Sequence, residues 1–361
     1  AHSDDGRAQF VRDLTQLNGL RSGWSANTDS VLGLQANAKF SDQTEAVIQA
    51  TSRYRYDGTY KPELSWAFVR HDFSPDISLR LGRMGTEFYM LADSRLVGYA
   101  NLTVRPPSDY YGPLVISHFD GLDASATTKL ESGPLSGGLL RGKLFAGYAA
   151  EKAPINDQVS LDLNGSLLVG GYVEYLSGPW QVRLGRAQIR FKEELPLNQL
   201  AGTDIMGIAP ELSIADKWTH YNSLGIVYDN GPLQIQSMYS QIGHDSAAYE
   251  DSWAAYVIAG YRVNQITPYL GYSRVKSRAS SLTTPLPPQL VGQISQLTDL
   301  THSDQHTISL GARWDFYQNL DLKAQIDFIR GTPQSVFPFR NAVPGWDGRM
   351  NVFSLTLDFV F

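Results

Sequence analysis

The chain has 361 residues, a length for one large all-β unit or two ordinary domains, and its net charge of -6 gives no basic footprint for nucleic acid. It has no cysteine, which removes disulfides, thiolate metal sites and cysteine nucleophiles together. No run of eighteen apolar residues is present, so a transmembrane helix is excluded.

In chain order, Ala1 to Asn27 is rich in Asp, Arg, Gly and Asn and holds no convincing strand; Gly6 to Leu14 offers at most a short, irregular one. No secretory signal peptide is visible at Ala1, as expected of a mature exported chain. Regular alternation begins at Val31 to Phe40, with Leu32, Leu34, Ala36, Ala38 and Phe40 on one face and Gln35, Asn37 and Lys39 on the other. Further strands are predicted at Thr44 to Tyr56, Pro62 to Phe73, Ile77 to Gly85, Ser117 to Glu131, Leu139 to Ala149, Gly165 to Leu176 and Trp180 to Phe191. The series continues through Thr219 to Asp229, Leu233 to Gly243, Ser252 to Val263, Ile266 to Lys276, Gln305 to Phe316, Leu320 to Gly331 and Arg349 to Phe361.

Every second connection is a tight turn, as at Ser74-Pro75-Asp76, Gly133-Pro134, Gly178-Pro179, Asn230-Gly231-Pro232, Asn264-Gln265 and Tyr317-Gln318-Asn319. The intervening connections are longer, notably Thr86 to Ile116, Lys192 to Trp218, Ser277 to Asp304 and Thr332 to Gly348. Short turns at one end and long loops at the other mark a transmembrane antiparallel β-barrel. Tyr54, Tyr56, Trp180, Trp253, Trp314, Phe316 and Phe361 are the expected interfacial aromatics. The fold class is therefore all-β. About fifteen strands are readable, whereas bacterial single-chain barrels have an even number. The expectation is a sixteen-stranded barrel over residues 28–361 whose first strand lies upstream of Ala1, with residues 1–27 as an external loop.

The strand ending at Phe361 carries Phe353, Leu355, Leu357, Phe359 and Phe361 on one side. This terminal aromatic strand resembles the export signal of Gram-negative outer-membrane β-barrels. The run Leu79-Arg80-Leu81-Gly82-Arg83-Met84-Gly85-Thr86-Glu87-Phe88-Tyr89 is similar to the strand that enters the constriction loop of trimeric sixteen-stranded porins. Met84 and Gly85 depart from that pattern, and the LGR string recurs at Leu184-Gly185-Arg186. The resemblance implies an outer-membrane homotrimer in contact with lipid and lipopolysaccharide, and an inward loop over residues 86–116. It also implies passive diffusion of small hydrophilic solutes or ions, and the lack of a phosphate-cradling glycine loop or a zincin motif points away from an enzyme and from a cofactor.

Porin selectivity is electrostatics at a constriction. The candidate basic wall is Arg53, Arg55, Arg80, Arg83, Arg141, Lys143 and Arg183; the candidate loop residues are Glu87, Asp93, Arg95, Arg105, Asp109, Tyr110 and Tyr111. Basic residues outnumber acidic ones on the strands, so a weak anion preference is expected. A nutrient-specific porin, with Arg95 and Arg105 gripping a carboxylate or phosphate, is the alternative. Tyr110, Tyr111 and Phe88 either pin the loop or form an aromatic slide. Arg70 and Asp72 fall on the lipid side of the simple register, which calls for a bulge. Arg183 and Arg186 cannot both face inward without one. The hydrolase reading, on Ser117, His118 and Asp120, and a metal site at His302 and His306 are weak alternatives. No metal ligand set is assigned.

Overall fold

The computed structural model describes residues 1–154, 160–280, 282, 284, 291–292, 301–335 and 339–361. Among the described residues fifteen long strands form the wall. They are β1 (Val31–Lys39), β2 (Thr44–Arg53), β3 (Glu63–Ser74), β4 (Ile77–Gly85) and β5 (His118–Lys129). Next come β6 (Leu139–Ala149), β7 (Leu167–Ser177), β8 (Trp180–Arg190), β9 (Trp218–Asn230) and β10 (Leu233–His244). The last are β11 (Asp251–Tyr261), β12 (Ile266–Arg278), β13 (Asp304–Tyr317), β14 (Leu320–Gly331) and β15 (Arg349–Phe359). Each pairs antiparallel with the next, the up-and-down order that short turns enforce.

β1 and β15 do not pair with each other. His2 and Ser3 run beside the outer part of β15, opposite Phe353 and Val352, and His2 also faces Trp24. The sixteenth position is thus held, among the described residues, by short N-terminal pieces rather than a full strand. Gly6 to Leu14 supplies no barrel strand either. It folds inward, where Gln9 and Phe10 pair with Arg340 and Phe339, and Ala8 and Phe10 pack with Leu20, Ile329, Trp346 and Met350.

The outer face carries the apolar half of each alternation. Leu34, Ile48, Leu81, Leu122, Leu144, Val173, Leu184, Leu270, Leu310 and Leu357 are all exposed, an arrangement that lipid satisfies and water does not. Trp180, Tyr261, Trp314, Tyr317 and Phe361 stand near the tight-turn end of this belt, and Tyr148, Tyr239, Trp253 and Tyr272 toward the loop end. Tyr54 departs from the expected girdle, because the chain leaves the wall after Arg53 and buries that ring.

A bulge resolves the misplaced charges of β3. The pairing shifts between Gln49–Trp66 and Ala50–Leu64, so Ser65 is the extra residue. Beyond it Val69 faces lipid, while Arg70, opposite Glu45, and Asp72 turn to the lumen, where they pair at 2.8 Å.

Candidate functional site

Residues 86–117 leave β4 and cross the lumen. The neck is closed by Thr86, whose amide donates to the Ser117 carbonyl (3.2 Å) and whose hydroxyl donates to that of Ile116 (2.9 Å). The loop then lies flat on the far wall because that wall has no side chain there. A Cβ on Gly185 would sit 2.0 Å from the Phe88 carbonyl oxygen, the acceptor of the Ser223 hydroxyl.

Further along, Lys323 Nζ donates to the Gly98 carbonyl (2.6 Å), Arg313 to that of Tyr99 (2.7 Å), and the Val104 amide to Gln325 (3.1 Å). Arg105 is 2% exposed and locks this limb to β14, β15 and the N-terminal segment. It pairs with Asp29 at 2.7 Å and Asp327 at 2.6 Å, bonds Ser354, and lies over the Phe10 ring. Asp109 is equally buried, accepts from Ser273 and Gln305 at 2.7 Å, and has its pKa raised by that burial. Arg95 donates to the Tyr89 hydroxyl (2.8 Å) and the Leu114 carbonyl (3.0 Å) inside the fold.

Arg95 and Arg105 are therefore fasteners with protein partners, and the expectation that they grip a carboxylate or phosphate is corrected on that ground. The aromatic residues are fasteners too. Tyr110 meets the Tyr221 hydroxyl at 2.9 Å, Tyr111 meets that of Tyr256 at 3.0 Å, and Phe88 packs edge-on against Tyr221. Buried hydroxyl pairs hold the loop rather than offer a slide.

The basic wall resolves into a ladder of ion pairs. Arg80 bonds Asp123 directly across β4 and β5 and reaches Glu87 at 2.6 Å. Lys143 takes the other Glu87 oxygen at 2.8 Å and stands 3.8 Å from Asp123. Tyr172 donates to Glu87 and lies under the Arg183 guanidinium. Arg183 then pairs with Glu174 at 2.6 Å, and Arg141 with the same carboxylate at 3.3 Å. Four cations (Arg80, Lys143, Arg183, Arg141) are directly paired with three carboxylates (Glu87, Asp123, Glu174), one more cation than bonded carboxylate. Arg141 is the ladder cation most open to water, with 40% of its side chain exposed. Asp93 stands at the edge of this group, its pKa raised by burial and by Glu87.

A second network sits at the outer mouth. Arg53 pairs with Asp13 at 3.0 Å, and Arg55 with Glu63 and Glu151. Burial opposes the charge on Asp13, but Arg53 and Arg95 hold its pKa down at about 2. Arg83 does not belong to the pore wall. It is an odd number of residues from Arg80, so it projects outward and pairs with exposed Asp120 at 2.7 Å. The same rule sends Arg183 in, to Glu174, and Arg186 out.

Residues missed in the sequence are the carboxylates Asp123, Glu151 and Glu174 and the N-terminal Asp13 and Asp29. The weak alternatives come apart in space. Ser117 reaches both His118 (2.9 Å) and Glu151 (2.5 Å), while Asp120 faces outward. His302 faces Glu250 at 2.8 Å, whereas His306 lies beside exposed Tyr272 on the outer face. Among the described residues no three His, Asp or Glu are grouped to hold a metal ion.

No family model matches this chain, and no curated protein matches it in sequence. Solved structures do. OmpT of Vibrio cholerae, an outer membrane protein folded in vitro, aligns over 91% of this chain and 88% of its own, with TM-score 0.55 and 17% identity. Its loop L8 deletion mutant aligns over 91% and 90%, with TM-score 0.51 and 16% identity. The outer membrane channel DcaP of Acinetobacter baumannii aligns over 91% and 85%, with TM-score 0.51 and 13% identity. These likenesses, together with the lipid-facing belt, establish the fold as a transmembrane β-barrel of the kind found in the bacterial outer membrane, as the terminal Phe361 strand led us to expect.

Proposed function

We propose that this protein is an outer-membrane channel that lets small solutes cross passively, with a weak preference for anions. The observation that carries this reading is the inward loop, which narrows a polar lumen beside a charged ladder inside an apolar outer wall. Narrow, protein-lined passages focus the field of such a ladder on whatever passes. The single excess cation of the ladder, with Arg141 reaching water, supports the direction of selectivity. The likeness to the channel DcaP supports the class of function. We assign the barrel no catalytic role, and propose that it assembles as a homotrimer amid lipid and lipopolysaccharide.

Liposome swelling tests the reading. Vesicles carrying the protein should swell faster in isosmotic arabinose than protein-free vesicles, and dextran should produce no difference. Equal rates in arabinose would remove the channel assignment.

A further inference from the structure

Above the loop, on the outer side, the lumen widens into a chamber of about 480 Å³ with an unexpected lining. A passage for hydrophilic solutes ought to present polar walls. This chamber is walled by Leu114 and Ile116 from the return limb of the loop, Leu161 from the short pair Lys152–Pro154 and Ser160–Asp162 beyond β6, Ile189 and Phe191 at the outer end of β8, and Ile242 from β10. No lysine or arginine lines it among the described residues. The one carboxylate that lines it among the described residues, Glu250, is already engaged by Ser277 and by His302 at 2.8 Å. Polar groups such as Gln188, Thr219, Ser303 and Asn341 also reach the chamber, but most of its exposed lining is apolar, so an apolar body that displaces water from that part is favoured.

A second observation points to a ligand atom. Tyr249 lines the chamber, its ring 5.8 Å from Phe191 and 5.0 Å from His244. Its hydroxyl is buried and has no hydrogen-bond partner among the described residues. A buried hydroxyl left unsatisfied is costly, so one oxygen on a bound molecule that reached it would be worth retaining.

We infer that the chamber is a binding site for an uncharged, ring-containing organic solute carrying one hydrogen-bonding oxygen, held by its apolar body and by Tyr249. Its volume suits a ligand of two or three fused rings, within the range of about 300–1,000 Å³ usual for small-molecule sites. Phe88 and the 114–116 limb line both the chamber and the loop, so the bound solute rests on the element that narrows the pore. The site selects the apolar body, and the ladder below it acts on ions. This deepens the channel reading and rests on it only for the direction of travel; binding itself does not require conduction.

The probe is 2-naphthol, with the protein in nanodiscs and empty nanodiscs as the reference, read by saturation-transfer NMR. Saturable transfer above the empty-disc signal is expected. Ile242→Glu combined with Leu161→Glu puts two carboxylates into the chamber and should weaken binding at least about tenfold. Tyr249→Phe, a milder change, should weaken 2-naphthol severalfold and leave naphthalene unaltered. Transfer no greater than in empty discs, an unchanged affinity in either variant, or displacement of 2-naphthol by inorganic phosphate would overturn the assignment. Ion conductance of the same preparation separates the two readings. Binding without conductance removes only the channel, and conductance without binding removes only the chamber site.

Discussion

Replacing Arg105 by alanine is expected to loosen the inward loop around residue 105 and raise single-channel conductance severalfold. Among the described residues the guanidinium alone bonds both Asp29 and Asp327, at 2.7 and 2.6 Å, in a place where almost no water reaches. Removing it leaves two buried carboxylates facing each other, and breaking a buried pair from one side costs about 3–5 kcal/mol. The limb keeps Lys323 on Gly98, Arg313 on Tyr99 and Gln325 on Val104, and the Asp109, Tyr110 and Tyr111 anchors hold beyond it, so the loosening is centred on the residues next to Arg105. The wall, held by its own ladders, should persist. Melting in detergent should therefore show a modest loss of stability beside a large change in current. An unaltered conductance in folded protein would show that the loop does not bound the conducting path.

The second large effect is expected at Glu87. Burial opposes its ionisation, yet Lys143 and Arg80 hold its pKa at about 2 against an ordinary 4.5. A carboxyl held below its unfolded value stabilises the fold above that value, and the contribution is lost as pH falls through about 2. Selectivity should accordingly stay constant from neutral pH down to about 4. Glu87→Gln removes one of three carboxylates facing four cations, raising the ladder from one excess positive charge to four less two, or two. One unit charge at close range in a watery passage amounts to about 1 kcal/mol, a factor of about five in ion preference. Reversal potential across a salt gradient should move toward anions by that order. No movement, or a shift toward cations, would mean that ions do not pass the ladder.

Much of this architecture could be read before any coordinates. Period-two alternation and proline- or glycine-bearing turns located all fifteen wall strands to within a few residues, and Ile77–Gly85, Leu139–Ala149 and Leu320–Gly331 end where alternation ends. The failures have separate physical origins. Ser65 looks like any other strand residue, so the bulge that turns Arg70 and Asp72 inward leaves no mark in the sequence. Arg83 was a failure of parity, since three residues from Arg80 is necessarily the other face.

The basic wall was legible as residues but not as pairs. Glu174 lies opposite both Arg183 and Arg141, and the Gly178-Pro179 turn alone sets its register with Arg183. That partner could have been found by counting back from the turn. Asp123 opposite Arg80 could not, because the whole inward loop separates their strands. Asp13 and Asp29 come from a segment without periodicity, so only the folded path brings them to Arg53 and Arg105. Similarly, the apolar chamber draws its lining from many distant segments, a gathering that no local pattern signals.

Conductance in a planar lipid bilayer, with reversal potential measured across a salt gradient, addresses the channel assignment most directly. Stepwise ion currents are expected, reversing slightly to the anion side because four cations meet three carboxylates on the ladder. Folded, bilayer-inserted protein that yields no current steps would contradict it.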